Sequence, residues 1–272
     1  MMWNGGGGHV GGSLSAADII AALYFHIMSV DPNRPNWDDR DRFVMSKGHA
    51  AATLYAALAE KGFFPVERLF DSFRNKADGI LQEHPDIKIP GVDMSSGSLG
   101  QGLSVAVGMA LAGRLMKKDF RVFVMLGDGE IGEGQVWEAA MSASHYELGR
   151  ITAILDYNKL SVEGRACDLC QHHLECPYHP RFLCPHTFVG LEPVVDKWRA
   201  FNWLVQEIDG HNMDQIIGAL EGASKKRCKP LIIIAHTVKG KGVSFMENNP
   251  EWHSKQMTEE QMKKALAELK TS

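Results

Sequence analysis

The chain has 272 residues, of which 44% are hydrophobic, which is enough for one large α/β domain and short for two domains of that kind. Its formal net charge of −4 shows no basic excess, so bulk electrostatics do not support a nucleic-acid partner. The sequence begins without the basic and apolar regions of a signal peptide, and it has no apolar run long enough to span a bilayer. We therefore expect a single domain over residues 1–272, in the cytoplasm and with no membrane partner.

Apolar periodicity predicts helices and strands in alternation along the chain. In chain order these are helices at Ser15–Val30, His49–Glu60 and Leu103–Met116, a strand at Arg121–Leu126, a helix at Gly134–Tyr146, a strand at Ile151–Asp156, a helix at Glu192–Asn202, a strand at Leu204–Ile208, a helix at Met213–Ser224 and a strand at Leu231–His236. A last helix should begin at Thr258, where Thr-Glu-Glu-Gln forms a capping box. The alternation predicts an α/β fold, a doubly wound parallel sheet with helices on both faces.

Polar residues follow each predicted strand. They are Gly127-Asp128-Gly129, Tyr157-Asn158, Asp209-Gly210-His211 and His236-Thr237, in the order of the strands. In open parallel sheets, ligands bind beyond the carboxyl ends of the strands, where such residues meet. We therefore predict a binding site at this edge of the sheet.

Asp128 and Asn158 follow consecutive predicted strands and stand about thirty positions apart. Gly127 and Gly129 allow a sharp turn and the close approach of a phosphate. An Asp-Gly dipeptide alone is common in ordinary turns. Together with Asn158, however, it predicts a hard cation that is held by a few protein oxygens and by a diphosphate.

A Gly-Asp-Gly motif followed after about thirty residues by Asn resembles the thiamine-diphosphate fingerprint. Further motifs make nearly the whole chain similar to transketolase, in particular to the N-terminal half found in its two-chain versions. These motifs are Gly8–Ser15, Ser46–Ala50, His84-Pro85, Gly91–Gly102, Lys239–Val243 and Trp252-His253. The resemblance implies the diphosphate-binding domain of the thiamine-diphosphate fold.

The resemblance also implies roles for individual residues at the cofactor. Asp128, Asn158 and the backbone carbonyl of Leu160 would hold magnesium, or calcium or manganese in its place. The residues expected to contact thiamine diphosphate itself are His49, Gly97, Leu99, Gly127, Asp128, Gly129, Glu133, Asn158, Lys239 and His253. Among these, Gly97 and Leu99 would meet the aminopyrimidine ring. Glu133 has two interpretations, either as an acid favoured by a helix N-terminus or as the subunit-interface glutamate of the family.

A second set of residues would face the sugar. By the resemblance, His9, His84 and His253 are the catalytic histidines, while His9, Lys47 and His84 bind the substrate. We expect ordinary surface or core roles for three other histidines, which are His26, His145 and His211.

The activity implied is the transfer of a two-carbon ketol unit from a ketose phosphate to an aldose phosphate. The family activates its cofactor through a glutamate on a pyrimidine-binding domain, for which 272 residues leave no room. We therefore expect a partner, the C-terminal transketolase subunit, in a two-plus-two heterotetramer. The alternatives are a split ketol transferase for an unusual sugar, another thiamine-diphosphate enzyme such as a deoxyxylulose-phosphate synthase or a 2-oxoacid dehydrogenase α chain, and a non-catalytic metal-binding subunit.

A Cys- and His-rich segment at about 165–190 looks like an insertion relative to the family. It contains Cys167, Cys170, Cys176 and Cys184, together with His172, His173, His179 and His186. Four cysteines in one short segment suit tetrahedral zinc, with an iron–sulfur cluster as the second choice. The alternative is a loop of reduced thiols that binds no metal.

Overall fold

The computed structural model describes residues 1–74, 80–161, 164–165, 190–225 and 227–270. Its strands, in chain order, are β1 Arg42–Met45, β2 Val122–Gly127, β3 Ile151–Tyr157, β4 Leu160–Ser161, β5 Gly164–Arg165, β6 Leu204–Asp209 and β7 Leu231–His236. Five of them form one parallel sheet in the order β1-β2-β3-β7-β6. The short strands β4 and β5 pair with each other as an antiparallel hairpin.

Helices lie before the first strand, between the strands and after the last one. They are α1 Val10–Ser15, α2 Ala17–Ala22, α3 Ala51–Lys61, α4 Arg68–Asp71, α5 Gln101–Leu115, α6 Gly134–His145, α7 Val194–Ala200, α8 Met213–Ala223 and α9 Glu259–Leu269. A π-helical turn, Leu23–Ile27, continues α2, and 3₁₀ turns precede α3, α6 and α9. No helix in the described part of the chain is long and apolar enough to cross a membrane.

Both faces of the sheet are covered, as the sequence predicts. Along β2, Phe123 and Met125 contribute to one hydrophobic core, whereas Val122, Val124 and Leu126 contribute to another. Because side chains alternate along a strand, the two cores lie on opposite faces. The first core is completed by α2, α3 and α8 and the second by α5, α6 and α7, so the doubly wound α/β prediction is confirmed.

The predicted and observed elements differ mainly near the N-terminus. Each of the four predicted strands is present with its ends shifted by at most one residue. The sequence prediction missed β1, a four-residue strand that begins with an arginine and directly follows charged residues. The helix predicted at Ser15–Val30 starts earlier, is interrupted at Ala16, and ends in the π turn.

The predicted capping box of the last helix is confirmed. The hydroxyl of Thr258 accepts a hydrogen bond from the backbone N–H of Gln261 at 3.2 Å. In return, the side-chain oxygen of Gln261 accepts one from the backbone N–H of Thr258 at 3.0 Å. Two donors at the start of α9 are thereby satisfied by side chains of the same turn.

The role of the second core can be tested within helix α5, where Leu103 is 0% exposed and Leu115 is 83% exposed. We expect Leu103→Ala to lower the free energy of unfolding by about 2–5 kcal/mol, because it leaves a cavity against the sheet. Leu115→Ala in the same helix should change it by less than about 0.5 kcal/mol. Urea unfolding followed by circular dichroism measures both values. Equal losses would contradict the assignment of this face to the core.

Candidate active site

The predicted polar clusters lie together at the carboxyl edge of the sheet. Asp128 follows β2, Asn158 follows β3 and Thr237 follows β7, and these three strands are neighbours. The end of β1 adds Lys47, and α1 packs against the 3₁₀ turn that follows it. The edge therefore gathers side chains from five separate segments of the chain.

Asp156, the last-but-one residue of β3, is the centre of this edge and is fully buried. Its carboxylate accepts hydrogen bonds from the hydroxyl of Ser15 at 2.6 Å, from the hydroxyl of Thr237 and from the ammonium of Lys47. Burial raises the pKa of Asp156, but the ion pair with Lys47 and these hydrogen bonds outweigh it and hold the pKa below the usual range. The carboxylate is thus a charged anchor for three segments.

Lys47 is itself almost fully buried, with 1% of its surface exposed. Besides Asp156, its ammonium donates to the carbonyl of Gly12 in α1 at 3.0 Å. Lys47 thereby ties α1 to the end of β3, and its predicted role in substrate binding stays a prediction.

The three predicted metal ligands lie on two adjacent turns. The carboxylate of Asp128, 4% exposed, accepts from the backbone N–H groups of Gly129 and Lys159. The side-chain oxygen of Asn158 accepts from the N–H of Leu160 at 3.1 Å. Lys159 between them has a left-handed φ of 61°, which folds the chain tightly so that Asn158 and Leu160 share one turn.

These ligands are all oxygens, which suits a hard cation such as Mg²⁺. Within the described ranges, no group of three or more His, Cys, Asp or Glu side chains could hold a metal by itself. One carboxylate, one amide oxygen and one carbonyl therefore fit a cation that takes further ligands from a phosphate or water. Burial, with the nearby charge of Asp156, raises the pKa of Asp128 to about 6.

Lys239 connects the metal turn to the histidines. Its ammonium, 2% exposed, donates to the carbonyl of Leu160 at 2.8 Å and contacts Nδ1 of His253 at 2.7 Å. Burial lowers the pKa of Lys239 to about 8, and the charge of Lys47 acts in the same direction.

His9, His49 and His253 form a triangle beside this lysine. Their ring centroids are 5.2 Å (His9–His49), 5.2 Å (His9–His253) and 5.3 Å (His49–His253) apart. Burial lowers the pKa of all three rings, and the neighbouring lysines lower them further. The pKa of His253 falls to about 3, so its ring is neutral around pH 7.

Glycines bring the backbone close to these rings. A Cβ on Gly12 would lie 3.2 Å from Nε2 of His49, and one on Gly97 would lie 3.3 Å from the ring of His84. A Cβ on Gly48 would come within 2.8 Å of the backbone nitrogen of Gly97. Side chains at these positions would crowd the histidines and the Gly97 backbone. The glycines therefore keep open the space beside His49 and His84, which we call the cleft.

Glu130 is a site residue that the sequence prediction missed. It is 2% exposed, and its carboxylate accepts hydrogen bonds from the N–H of Gly100 at 2.9 Å, from the N–H of Gly127 at 3.0 Å and from the hydroxyl of Ser46. It thereby joins the end of β1, the turn after β2 and the Gly97–Gly100 segment. Its only signal in the sequence is an acid beside the Gly-Asp-Gly motif, which does not reveal these partners.

The other predicted residues have varied surroundings. Leu99 is exposed, and Glu133 is an exposed N-cap of α6. The carbonyl of His84 accepts a hydrogen bond from the hydroxyl of Tyr55 at 2.7 Å.

The predicted zinc ligands Cys167, Cys170, Cys176 and Cys184 lie outside the described residues.

The three histidines expected to have ordinary roles all have local structural contacts. His26 contacts Glu221 at 3.1 Å on the surface, and the ring of His145 lies against Tyr146. His211 bridges Asp18 in α2 and the N–H of Val238, which ties the loop carrying Lys239 to the sheet.

Comparisons with known proteins agree with this geometry. The family described as transketolase, thiamine diphosphate binding domain, matches residues 2–179 and 187–270. A 6-deoxy-6-sulfo-D-fructose transketolase subunit of Clostridium sp. (strain MSTE9) is 47% identical over 97% of this chain and 89% of its own length. An apulose-4-phosphate transketolase subunit of Phocaeicola vulgatus is 40% identical over 96% of this chain and 86% of its own length.

Solved structures show the same similarity. The transketolase of Campylobacter jejuni superposes with a TM-score of 0.82 and 32% identity over 98% of this chain, which spans 40% of that longer protein. The fold and the site thus define a thiamine-diphosphate-binding domain. The chain belongs to the transketolase family, as the thiamine-diphosphate-binding part of a transketolase-type transferase.

The neutral state of the histidine triangle predicts a pH dependence of stability. His253 has a pKa of about 3 when folded and an ordinary value of 6.5 when unfolded, so below about pH 6.5 only the unfolded chain gains a proton there. The stability that His253 contributes should therefore be lost as the pH is lowered from about 7 to about 5, so over this range the free energy of unfolding of wild type should change less favourably than that of His253→Gln. Denaturant titrations across this range measure both slopes. Identical slopes would contradict the lowered pKa.

Proposed function

We propose that this chain is the diphosphate-binding subunit of a two-chain ketol transferase, which moves a two-carbon unit from a ketose phosphate to an aldose phosphate. One observation carries the proposal. A buried carboxylate, an amide oxygen and a carbonyl lie on adjacent strand ends, beside three histidines whose pKa values are lowered. Such a site suits a metal-bound diphosphate together with proton transfer at sugar hydroxyls.

The residues have distinct proposed roles at the cofactor. Asp128, Asn158 and the carbonyl of Leu160 would hold Mg²⁺, or Ca²⁺ or Mn²⁺ in its place. His49, Lys239 and the backbone around Gly127 and Gly129 would line the diphosphate. The backbone of Gly97 and Leu99 would meet the aminopyrimidine. Glu130 supports this segment, because its carboxylate binds both the N–H of Gly100 and the N–H of Gly127.

Thiamine diphosphate, when bound, supplies a nucleophilic carbon and stores the carbanion that C–C bond cleavage produces. The chain contributes position and proton movement. His9, His84 and His253 would orient the hydroxyls of the sugar, because a neutral imidazole can accept a proton at one nitrogen and donate at the other. Lys239, which lies against the carbonyl of Leu160, would favour the anionic cofactor, whereas the charge of Lys47 is paired with Asp156.

A second polypeptide is part of the proposal. The relatives named as transketolase subunits are matched over 86–89% of their own length, whereas the Campylobacter jejuni transketolase is matched over only 40%. That difference supports a partner that carries a pyrimidine-binding domain and the activating glutamate. We propose that the two chains form a two-plus-two assembly. The exposed Glu133 would then face the partner.

The names of the relatives favour a second candidate for the substrate. The Clostridium and Phocaeicola proteins act, by name, on 6-deoxy-6-sulfo-D-fructose and on apulose 4-phosphate. We infer that the donor here is a ketose with an anionic terminus, which includes these unusual sugars as well as common ketose phosphates. A non-catalytic role is disfavoured, since Asp128, Asn158 and the histidine triangle are all present.

Two further predictions stay open. One is that Cys167, Cys170, Cys176 and Cys184 bind zinc. A cytoplasmic location is consistent with sugar phosphate substrates.

Removal of the metal carboxylate should abolish cofactor binding without unfolding the chain. We expect Asp128→Ala to weaken the binding of thiamine diphosphate in the presence of Mg²⁺ by about 100-fold, or about 3 kcal/mol, because the diphosphate loses its bridging cation. Asp196→Asn, which changes an exposed carboxylate in α7, is the control. Calorimetry on the chain with its partner measures both affinities, and an unchanged affinity in Asp128→Ala would refute the metal assignment.

Activity should depend on the partner. The purified chain, supplied with thiamine diphosphate, Mg²⁺, a ketose donor and an aldose phosphate, should show no ketol transfer, and the pyrimidine-domain protein should restore it. Coupled assays with fructose 6-phosphate, 6-deoxy-6-sulfofructose and apulose 4-phosphate in parallel identify the donor. Turnover by the chain alone would rule out the two-chain arrangement.

A further inference from the structure

His9 has a carboxylate on one side of its ring. Nδ1 of His9 lies 2.9 Å from Oε1 of Glu83, while the rings of His49 and His253 lie 5.2 Å from its centroid. The ring and the carboxylate are only partly exposed, at 18% and 28% of their side chains. Their interaction is therefore less screened than that of a surface ion pair.

Nδ1 of His9 is buried and has no aligned hydrogen-bond partner among the described residues, although Glu83 is at ion-pair distance. In a neutral imidazole, one nitrogen carries the proton and the other a lone pair. A lone pair on Nδ1 would face the negative carboxylate and be repelled, whereas an N–H would be attracted. The negative charge of Glu83 therefore favours the proton on Nδ1, even without an ideal hydrogen bond.

We propose that Glu83 is a positioning residue that fixes His9 in the Nδ1–H tautomer, so that Nε2 keeps its lone pair. The proposal rests on the proposed function for its catalytic meaning, because His9 is one of the histidines assigned to the sugar. The tautomer itself can be measured without any turnover.

Glu83 is held in place by its neighbours. Its second oxygen lies 3.9 Å from the guanidinium of Arg74. The next residue, His84, is fixed through its carbonyl by the hydroxyl of Tyr55 and through its ring by the close approach of Gly97. The carboxylate therefore extends from a short backbone segment whose neighbours hold it in place.

The other charges around His9 oppose Glu83. Burial lowers the pKa of His9 most, and the neighbouring His84 and Lys239 act in the same direction, while Glu83 raises it. The net pKa lies below the ordinary value of 6.5. The ring is therefore mainly neutral around pH 7, the condition in which the choice of tautomer matters.

The chemical consequence concerns one proton. With the Nδ1–H tautomer, a sugar hydroxyl can donate its hydrogen bond to Nε2 and then transfer its proton there, leaving an alkoxide on the sugar and an imidazolium on His9. The carboxylate of Glu83 stabilises that imidazolium across the ring. The opposite tautomer would present an N–H to the hydroxyl and could accept no proton at that nitrogen.

Nitrogen NMR of the histidine-labelled full chain tests the tautomer directly. We expect wild-type His9, identified by the loss of its signals in His9→Gln, to show a protonated Nδ1 and an unprotonated Nε2. Glu83→Leu should shift the population toward Nε2–H, the form favoured in free histidine, while Glu60→Gln, an exposed carboxylate change in α3, should not. A wild-type His9 in the Nε2–H form, or an unchanged tautomer in Glu83→Leu, would overturn the proposal.

Kinetics of the reconstituted enzyme give a second, independent readout. In Glu83→Gln the negative charge no longer raises the pKa of His9, so the acidic limb of the pH profile of kcat/KM should move to lower pH, with kcat/KM reduced by about tenfold. Glu60→Gln should leave the profile unchanged. An unmoved acidic limb in Glu83→Gln would contradict the role of the charge. Failure of the proposed function would instead appear as no transfer by wild type, with the tautomer result intact.

Discussion

The carboxyl edge of this sheet depends on one buried ion pair, between Lys47 after β1 and Asp156 in β3. A buried charge without a partner would be strongly destabilising, so neither residue can be lost alone at low cost. The pair also fixes what surrounds it, because Asp156 binds Ser15 and Thr237 while Lys47 binds the carbonyl of Gly12. The short helix α1, whose N-cap makes no side-chain capping bond within the described residues, keeps its place across the edge through these contacts.

Around that pair, the site combines fixed positive charge with uncharged proton carriers. Lys239 remains largely protonated around pH 7 despite its lowered pKa, whereas His253 is neutral. Lys239 would attract an anionic diphosphate, whereas the charge of Lys47 is paired with Asp156, and the imidazoles add no charge of their own. The same burial produces both effects, since it disfavours the charged form of every base and only the strongest bases keep their protons.

The sequence was informative wherever the signal is local. The apolar pattern located β2, β3, β6 and β7 to within one residue, and the capping box at Thr258 located α9. Contacts between distant segments could not be found in this way. Asp156 and Lys47 are 109 residues apart, and Glu130 and Ser46 are 84 apart. Asp156 and Glu130 look like ordinary carboxylates in the sequence until the fold places them beside their partners, as does Glu83 beside His9. Lys47 was predicted at the substrate, but its pairing with Asp156 was not.

The register between β2 and β3 sets where the metal ligands can be. Gly127 pairs with Asp156, and because side chains alternate along a strand, Asp156 and Asn158 point to the same side of the chain. A single inserted residue within β3 would turn both away and place Tyr157 among the polar groups. An insertion between α6 and β3 would leave the pairing intact. The protein can therefore change length in its crossovers over evolution, but not in the last few residues of its strands.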